Sequence, residues 1–173
     1  NSLCKKQLIP KDGYFIGTCT DCSLFPVNKK YSLRPDYAPE VWAIDFAPGE
    51  QSIAMAAYSD LKDLYNSALK EGLNLIFISG YRAFEIQGQT FEYWVQREMS
   101  QGFDRATAEI KANNYSAKPG FSEHQLGTTI DIDAVGCEAF VELCPDNVKV
   151  WEWLQNNAYK FGFSMSYPKG KEP

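Results

Sequence analysis

The chain has 173 residues, 45% of them hydrophobic, and a formal net charge of −5. This length suits one compact domain with its own core rather than two. Its 17 lysines and arginines are scattered, which argues against a nucleic-acid partner, and no apolar run approaches the roughly 20 residues of a membrane-spanning helix.

The first 50 residues are dense in proline, glycine, aspartate and asparagine and show no long apolar period. We predict that they are irregular and wrap the domain. The chain is therefore divided into an irregular N-terminal segment, residues 1–24, and a domain that spans residues 25–173.

The five cysteines are informative about the cellular compartment in which the protein resides. Cys19 and Cys22 form a CxxC, which suits half a zinc site, a redox pair or a disulfide. No second CxxC exists and the single histidine is distant, so disulfides are favoured. Cys137 and Cys144 flank a short segment and can bridge to each other, whereas Cys4, Cys19 and Cys22 supply one pair and one thiol. Disulfides, and a start without methionine or signal sequence, favour an extracytoplasmic protein.

Helical spacing of apolar residues runs from Ser52 to Lys70, with Gly72 as the C-terminal cap. The apolar run "LNLIFIS", residues 73–79, predicts a buried strand that ends at Gly80. Residues 84–100 predict a second helix, with one apolar side made by Phe91, Trp94, Val95 and Met99.

Asp104 is a suitable N-cap for a short third helix that ends near Lys111. A loop follows, and residues 127–133 alternate well enough for a strand. Residues 148–161 predict a last helix that Asp146 or Asn147 caps and Gly162 ends, with Val148, Trp151, Leu154 and Ala158 on one face. A last strand is expected to begin at residues 163–165. This order predicts an α+β fold in which helices pack on a small, mainly antiparallel sheet.

The only histidine, His124, lies in "SEHQLGTTIDID". If its loop leads directly into a strand, Asp131 and Asp133 share one face of that strand, and Ile130 and Ile132 share the other. A carboxylate on the core side is costly unless it is paired or ligated, and imidazole and carboxylate together suit zinc. Spacing alone favours a plainer interpretation, in which His124 caps a turn and Asp131 bonds loop amides.

A second group of polar residues lies in "SGYRAFEIQ", where Tyr81, Arg82 and Gln87 follow the predicted strand at the edge of a pocket. An arginine at a strand end can bind a carboxylate or an oxyanion with two N–H groups. It can also form a surface ion pair with Glu85, and spacing alone favours the ion pair.

Taken together, these segments resemble the VanY-type zinc D-alanyl-D-alanine carboxypeptidases, which trim bacterial peptidoglycan. The family signature SxHxxGxAxD lies on Ser122, His124, Gly127, Thr129 and Asp131, with threonine in the alanine position. "SGYRAFEIQ", "PVNKKYSLRPDYAPE" and "WLQNNAYKFGFSMSYPKGKE" match other family segments in the same order, from residue 25 to residue 172.

The resemblance implies a zinc site within the α+β fold, with His124 and Asp131 as metal ligands. It implies that Arg82 is catalytic, because the matching arginine steadies the substrate carbonyl as charge develops, while zinc activates water and polarises that carbonyl. Ser122, Gln87 and Tyr81 are expected to bind the substrate, a peptidoglycan stem peptide. Asp133 is expected either to orient a ligand or to be solvated.

The family closes its site with an EPWH segment, which supplies the general base and the third zinc ligand. This sequence ends in "YPKGKEP", and Glu172 matches a loop glutamate instead. We therefore expect a domain that lacks its C-terminal catalytic segment and is impaired as given. The alternatives are a peptidoglycan-binding module without catalysis, and an L,D-carboxypeptidase or endopeptidase on the same scaffold. We expect a monomer.

Overall fold

The structure is a computed structural model that describes the backbone of residues 6–9 and 14–17, and residues 26–137 and 144–166 in full. It has four helices in these ranges: α1 Met55–Lys70, α2 Phe84–Ser100, α3 Arg105–Tyr115 and α4 Pro145–Asn157. The strands described are β1 Lys6–Ile9, β2 Tyr14–Gly17, β3 Tyr31–Ser32, β4 Val41–Ala43, β5 Ser52–Ala54, β6 Leu75–Ser79 and β7 Asp131–Ala134. Two 3₁₀ turns, Glu123–Leu126 and Ala158–Phe161, complete the set. None of the helices in the described ranges has the length and apolar character needed to cross a bilayer.

The chain divides into two compact units, each made from two stretches of sequence. The first unit contains residues 1–39 and 82–127, and the second contains residues 40–81 and 128–173. Length and composition do not show which stretches pack together, so the expectation of one domain did not anticipate this division. The predicted boundary after residue 24 falls outside the described residues and stays a prediction.

The first unit begins with three short strands. β1 and β2 pair antiparallel, with Lys6 opposite Gly17 and Ile9 opposite Tyr14, and β2 pairs parallel with β3. The prediction that residues 1–50 are irregular is wrong for these strands and for β4. Strands of two to four residues are too short to show an apolar period, and their pairing rather than their pattern defines them.

α2 and α3 form the rest of the first unit's regular structure. α2 has the predicted bounds, and Phe91 and Val95 on its apolar side pack with Ala108 and Ala112 of α3. α3 begins as predicted, because the Asp104 carboxylate accepts from the Thr107 N–H group at 2.9 Å. It continues to residue 115 rather than ending near residue 111, since its packing on α2 supports the additional turn.

The second unit contains two antiparallel strand pairs, β4 with β5 and β6 with β7. α1 begins at Met55 rather than at residue 52, because residues 52–54 pair with β4 as β5. Its C-terminus is as predicted: Gly72 has φ +79°, and the N–H group of Leu73 donates to the Ala68 carbonyl at 3.0 Å. Two clusters form the described core of this unit, one around Ile53, Leu61 and Phe77 and one around Leu64, Leu75, Val150 and Leu154.

α4 differs from its prediction at its start and in its buried face. It begins at Pro145 after the N-cap residue Cys144, because proline suits the first helical position. Asn147, one of the two predicted caps, instead accepts from the Ala134 N–H group at 2.6 Å. Leu154 is buried as predicted, but Val148 is 44% exposed. Val150 and Trp153 fill the core positions that we assigned to Val148 and Trp151.

The disulfide between Cys137 and Cys144 is confirmed, with the two Cα atoms 5.9 Å apart. The other three cysteines, Cys4, Cys19 and Cys22, lie outside the described residues. No strand begins at residues 163–165, because the Phe163 N–H group donates to the Ala158 carbonyl and closes the preceding 3₁₀ turn. The predicted α+β class, with small and mainly antiparallel sheets, is confirmed.

Candidate active site

The 3₁₀ turn Glu123–Leu126 holds the single histidine in the first unit. Ser122 is its N-cap, 5% exposed, and its hydroxyl accepts from the His124 N–H group at 3.4 Å. The His124 carbonyl accepts from the Gly127 N–H group at 3.2 Å and from the Arg82 N–H group at 3.1 Å. The backbone of His124 is therefore held in place by hydrogen bonds of both its N–H group and its carbonyl group.

Arg82 and Gln87 are also brought together in the first unit. Arg82 lies between β6 and α2, and its Nη1 donates to Gln87 Oε1 at 2.9 Å. Gln87 is in the first turns of α2 and is 1% exposed, and its Nε2 donates to the Ala117 carbonyl at 2.6 Å. The two predicted site residues thus form one chain of hydrogen bonds that ends on the backbone after α3.

Gln125 was not singled out in the sequence, although it follows the histidine directly. It is 0% exposed, and its Nε2 donates to the carbonyls of Arg34 and Tyr37 at 3.0 and 3.3 Å. It therefore fastens the turn to a stretch of chain that is distant in sequence. The position of Gln125 next to a predicted ligand is a signal in the sequence, but its burial and its carbonyl partners are visible only in the structure.

Tyr81 lies in the second unit, at the end of β6. Its N–H group donates to the Ser52 carbonyl at 2.7 Å, and the preceding Gly80 N–H group donates to Gln51 Oε1 at 3.0 Å. A Cβ atom on Gly80 would lie 2.2 Å from the Ser52 carbonyl oxygen, so only glycine fits this approach. β5 therefore fixes the backbone that presents Tyr81.

Asp131 also lies in the second unit, at the first position of β7. The strand was predicted from residue 127 but begins at residue 131, because Gly127 ends the 3₁₀ turn in a left-handed conformation. Asp131 pairs with Ser79 across a bulge in β6, whereas Ile132 pairs with Phe77 in the core. Asp131 and Asp133 alternate with the core residue Ile132, as predicted.

The donor set suits zinc in kind. His124 offers an imidazole nitrogen and Asp131 a carboxylate oxygen, which are both ordinary zinc ligands. In residues 26–137 and 144–166, no group of three or more His, Cys, Asp and Glu side chains is placed to hold a metal ion. The described residues therefore supply two donors of the right chemistry and do not form a complete metal cluster.

Most of the chain matches a known protein family. The family model for VanY, the D-alanyl-D-alanine carboxypeptidases, matches residues 50–173. The chain belongs to the VanY family. The resemblance noted in the sequence is thereby confirmed.

A VanY relative, the D-alanyl-D-alanine carboxypeptidase of Enterococcus faecalis (strain ATCC 700802 / V583), is 34% identical over 150 residues. The alignment covers 86% of this chain and 52% of that relative. The chain thus spans about half the length of the curated relatives that it matches.

Two solved structures are also similar. One is a variant of the vancomycin-resistance D,D-pentapeptidase VanY in complex with Zn(II), with a TM-score of 0.72 and 32% identity, covering 86% of this chain and 79% of that one. The other is the LdcB LD-carboxypeptidase, with a TM-score of 0.77 and 31% identity, covering 98% of this chain and 77% of that one. The VanY fold therefore occurs in enzymes described as D,D- and as L,D-specific.

Proposed function

We propose that this protein is a zinc-dependent D-alanyl-D-alanine carboxypeptidase that removes the terminal D-alanine from peptidoglycan stem peptides. The observation that carries the proposal is the hydrogen bond from the Arg82 N–H group to the His124 carbonyl. This hydrogen bond joins the two segments that resemble family motifs, so the backbones of the arginine and the histidine are held next to each other.

We assign zinc to His124 and Asp131. When bound, zinc would polarise the peptide carbonyl and activate the water that attacks it. Ser122 keeps the histidine turn in place by capping it, and so fixes the direction from which the imidazole is presented. Asp131 is the first residue of the paired strand β7, which holds its backbone at one register position.

Among the side chains of the proposed site, Arg82 is the one to which we assign a catalytic role. Its guanidinium carries a permanent positive charge and would donate to the carbonyl oxygen as negative charge develops there. Ser122, Gln87 and Tyr81 are proposed to contact the stem peptide. These assignments derive from the family resemblance, and the backbone contacts of Arg82 and His124 support them.

The direct test is release of D-alanine from a muropeptide that ends in D-Ala-D-Ala, with the full-length protein and added zinc. We expect release that a chelator abolishes and zinc restores. His124→Ala should lose both zinc uptake and release, whereas Lys70→Ala, an exposed residue at the end of α1, should retain both. Muropeptide binding without release would instead support a non-catalytic cell-wall module.

The ligand count predicts that these 173 residues alone are impaired. His124 is the only histidine among them, and two protein ligands hold a catalytic zinc less tightly than the usual three. Zinc titration should therefore show weaker binding by the 173 residues than by a version that carries an EPWH segment. Equal affinity would contradict this expectation.

A second specificity is carried by one observation, the similarity to the LdcB LD-carboxypeptidase over 98% of this chain. Such an enzyme would act on tetrapeptides, removing a D-alanine that is joined to an L-centre. Assays with matched pentapeptide and tetrapeptide muropeptides separate the two. Preference for the tetrapeptide would overturn the D,D proposal and leave zinc chemistry in place.

We also propose that the protein acts outside the cytoplasm as a monomer. The Cys137–Cys144 disulfide supports an oxidising compartment, since such bonds rarely persist in the cytosol. Alkylation of thiols in intact cells should leave these two cysteines unlabelled until a reductant is added.

A further inference from the structure

We propose that Gln51, which lies outside the family segments quoted above, is a positioning residue for the side chain of Tyr81. Through the end of β6, it sets how tightly the stem peptide binds. The inference rests on the proposed function, because it uses the proposed contact between Tyr81 and the stem peptide. The protein contacts that carry it all lie within the second unit.

The side-chain amide of Gln51 connects the loop between β4 and β5 to the end of β6. Its Oε1 accepts from the Gly80 N–H group at 3.0 Å, and its Nε2 donates to the Gly49 carbonyl at 2.8 Å. The N–H group can only donate and the carbonyl can only accept, so one orientation of the amide satisfies both. Gln51 therefore holds the residue directly before Tyr81.

The backbone of Gln51 is fixed independently of its amide. Its carbonyl accepts from the Ile44 N–H group at 2.8 Å, across the connection between β4 and β5. The two residues before it have positive φ angles, +121° at Gly49 and +48° at Glu50. A positive φ is uncommon for glutamate and persists where the surrounding structure imposes it. Gln51 thus follows a turn of defined shape.

The same loop also contacts β6 further back along the strand. The Pro48 carbonyl accepts from the Phe77 N–H group at 3.2 Å, and Phe77 is 1% exposed in the core. The loop is therefore anchored on the buried part of β6. From this anchor, Gln51 reaches the last residues of the strand.

The end of β6 depends on such contacts because its pairing with β7 ends at Ser79. Beyond that residue, the N–H group of Gly80 donates to Gln51, and the N–H group of Tyr81 donates to the Ser52 carbonyl at 2.7 Å. Gly80 is buried, so bulk water does not replace a lost acceptor. Without the Gln51 amide the backbone at Gly80 would shift, and Tyr81 would shift with it.

A shift of Tyr81 has a kinetic signature. A contact with the stem peptide that is made equally in the ground state and the transition state contributes to binding alone. Its loss raises KM and leaves kcat nearly unchanged. A purely structural role for Gln51 would instead reduce the fraction of folded enzyme, which lowers the apparent kcat at unchanged KM.

The experiment compares Gln51→Leu and Gln51→Glu with the control Gln89→Leu, which removes an exposed glutamine from α2. Leucine removes the acceptor for Gly80, whereas glutamate keeps an acceptor and loses the donor to the loop. The first readout is exchange of the Gly80 amide proton by NMR, relative to that of Phe77 in the same sample. We expect exchange about 2- to 10-fold faster in Gln51→Leu and unchanged in Gln89→Leu.

The second readout is a double-mutant cycle with Tyr81→Ala, measured with a D-Ala-D-Ala muropeptide. Gln51→Leu should raise KM about 3- to 10-fold at nearly unchanged kcat, and Gln51→Glu should recover a large part of that loss. In the Tyr81→Ala background, Gln51→Leu should have little further effect, because the side chain that it positions is already absent.

Three results would overturn the proposal. They are unchanged exchange of Gly80 relative to Phe77 in Gln51→Leu, a lowered kcat at unchanged KM, and an effect on KM that is equally large in the Tyr81→Ala background. If Gln51→Leu fails to fold, Gln51→Glu decides: near wild-type exchange and KM support the role of the acceptor, and a strongly raised KM contradicts it.

Failure of the proposed function gives a different result. If the wild type binds the muropeptide without releasing D-alanine, the proposed activity fails, and the same cycle, measured as Kd, still decides the role of Gln51. If the wild type neither binds nor cleaves the muropeptide, both proposals fail.

Discussion

His124 and Gln125 are consecutive residues with different roles in the same turn. The His124 carbonyl receives the N–H groups of Arg82 and Gly127, and the Gln125 side chain donates to two carbonyls of the stretch that includes Arg34. Gln125 Oε1 has no hydrogen-bond partner among the described residues. The turn thus depends on a buried amide that uses its donor end and leaves its acceptor end unsatisfied.

Gln125→Leu should destabilise the protein, because the carbonyls of Arg34 and Tyr37 lose a donor in a buried place. Removing the unsatisfied Oε1 offsets part of this cost, so we expect a loss of about 1 to 2 kcal/mol in the free energy of unfolding. Urea denaturation measures it, and Gln89→Leu is the exposed control. No change relative to that control would show that the two hydrogen bonds contribute nothing.

Single residues of the candidate site could be proposed from sequence where a motif carries the chemistry, and their roles stay predictions. His124, Asp131 and Arg82 were proposed from their family segments, and the structure places Arg82 and His124 in direct backbone contact. Gln125 was not predictable in the same way, because its partners are main-chain carbonyls that lie 91 and 88 positions away in the sequence. Carbonyl groups carry no sequence signal.

α2 and α3 are joined on their exposed side by ion pairs. Arg105 contacts Glu92 through two N–H groups at 3.0 and 2.8 Å, and it also contacts Glu109. The hydrogen bonds from Arg105 and then Gln96 lower the pKa of Glu92 from 4.5 to about 2. Because the pKa of the folded protein is depressed, Glu92 stabilises the fold above pH 4.5, and this contribution is lost as pH falls toward 2.

Glu92→Gln should therefore lower the free energy of unfolding at neutral pH, and its difference from the wild type should shrink as pH falls from 4.5 toward 2. Urea denaturation over this range is the measurement. Asp60→Asn, an exposed acid on α1, is the control. A difference that stays constant with pH would show that the Glu92 charge does not contribute.

α1 offers a matched pair for the core. Leu64 is 1% exposed and packs in the cluster that includes Leu75 and Leu154, whereas Leu69 is 45% exposed. Leu64→Ala should cost about 2 to 5 kcal/mol, because it removes buried surface and leaves a cavity. Leu69→Ala should cost less than about 0.5 kcal/mol, as surface changes usually do. Similar losses in thermal and urea denaturation would contradict the assigned burial.

Elements were predictable where pattern and end signals agreed. α2 was predicted with its observed bounds, and α1 with its end, because apolar spacing and a glycine stop coincided. The buried face of α4 was shifted because Val148 and Trp151 fit a helical period as well as Val150 and Trp153 do. Only packing distinguishes such alternatives. β5 was read as part of α1 because strand pairing to β4 is not visible in a local window.

At the scale of the whole molecule, the chain forms two units from interleaved stretches, and composition carries no signal at the boundaries between them. Within the second unit, the Cys137–Cys144 disulfide closes a short loop between β7 and α4, over a sequence separation of 7. A bridge over such a loop restricts the unfolded chain by about 2 to 3 kcal/mol in the chain-entropy model.

The double variant Cys137→Ser and Cys144→Ser should therefore unfold with a free energy about 2 to 3 kcal/mol lower than that of the wild type. A reductant added to the wild type should lower its free energy of unfolding by a similar amount, through reduction of this bridge. The same reductant added to the double variant measures any effect of reduction at the other cysteines. An unchanged midpoint in the double variant would show that the bridge does not stabilise the fold.

The bulge in β6 selects the cross-strand neighbour of the proposed zinc ligand. In a regular ladder, the residue after Phe77 would lie across from Asp131, and that residue is Ile78. The additional residue moves the pairing on by one position, so a serine rather than an isoleucine lies opposite the carboxylate. By leaving Ile78 out of the ladder, the bulge exchanges an apolar neighbour for a polar one while Phe77 and Ile132 stay paired in the core. Deleting Ile78 would remove the bulge and still leave Ser79 opposite Asp131, so the serine and not the bulge itself supplies the polar neighbour.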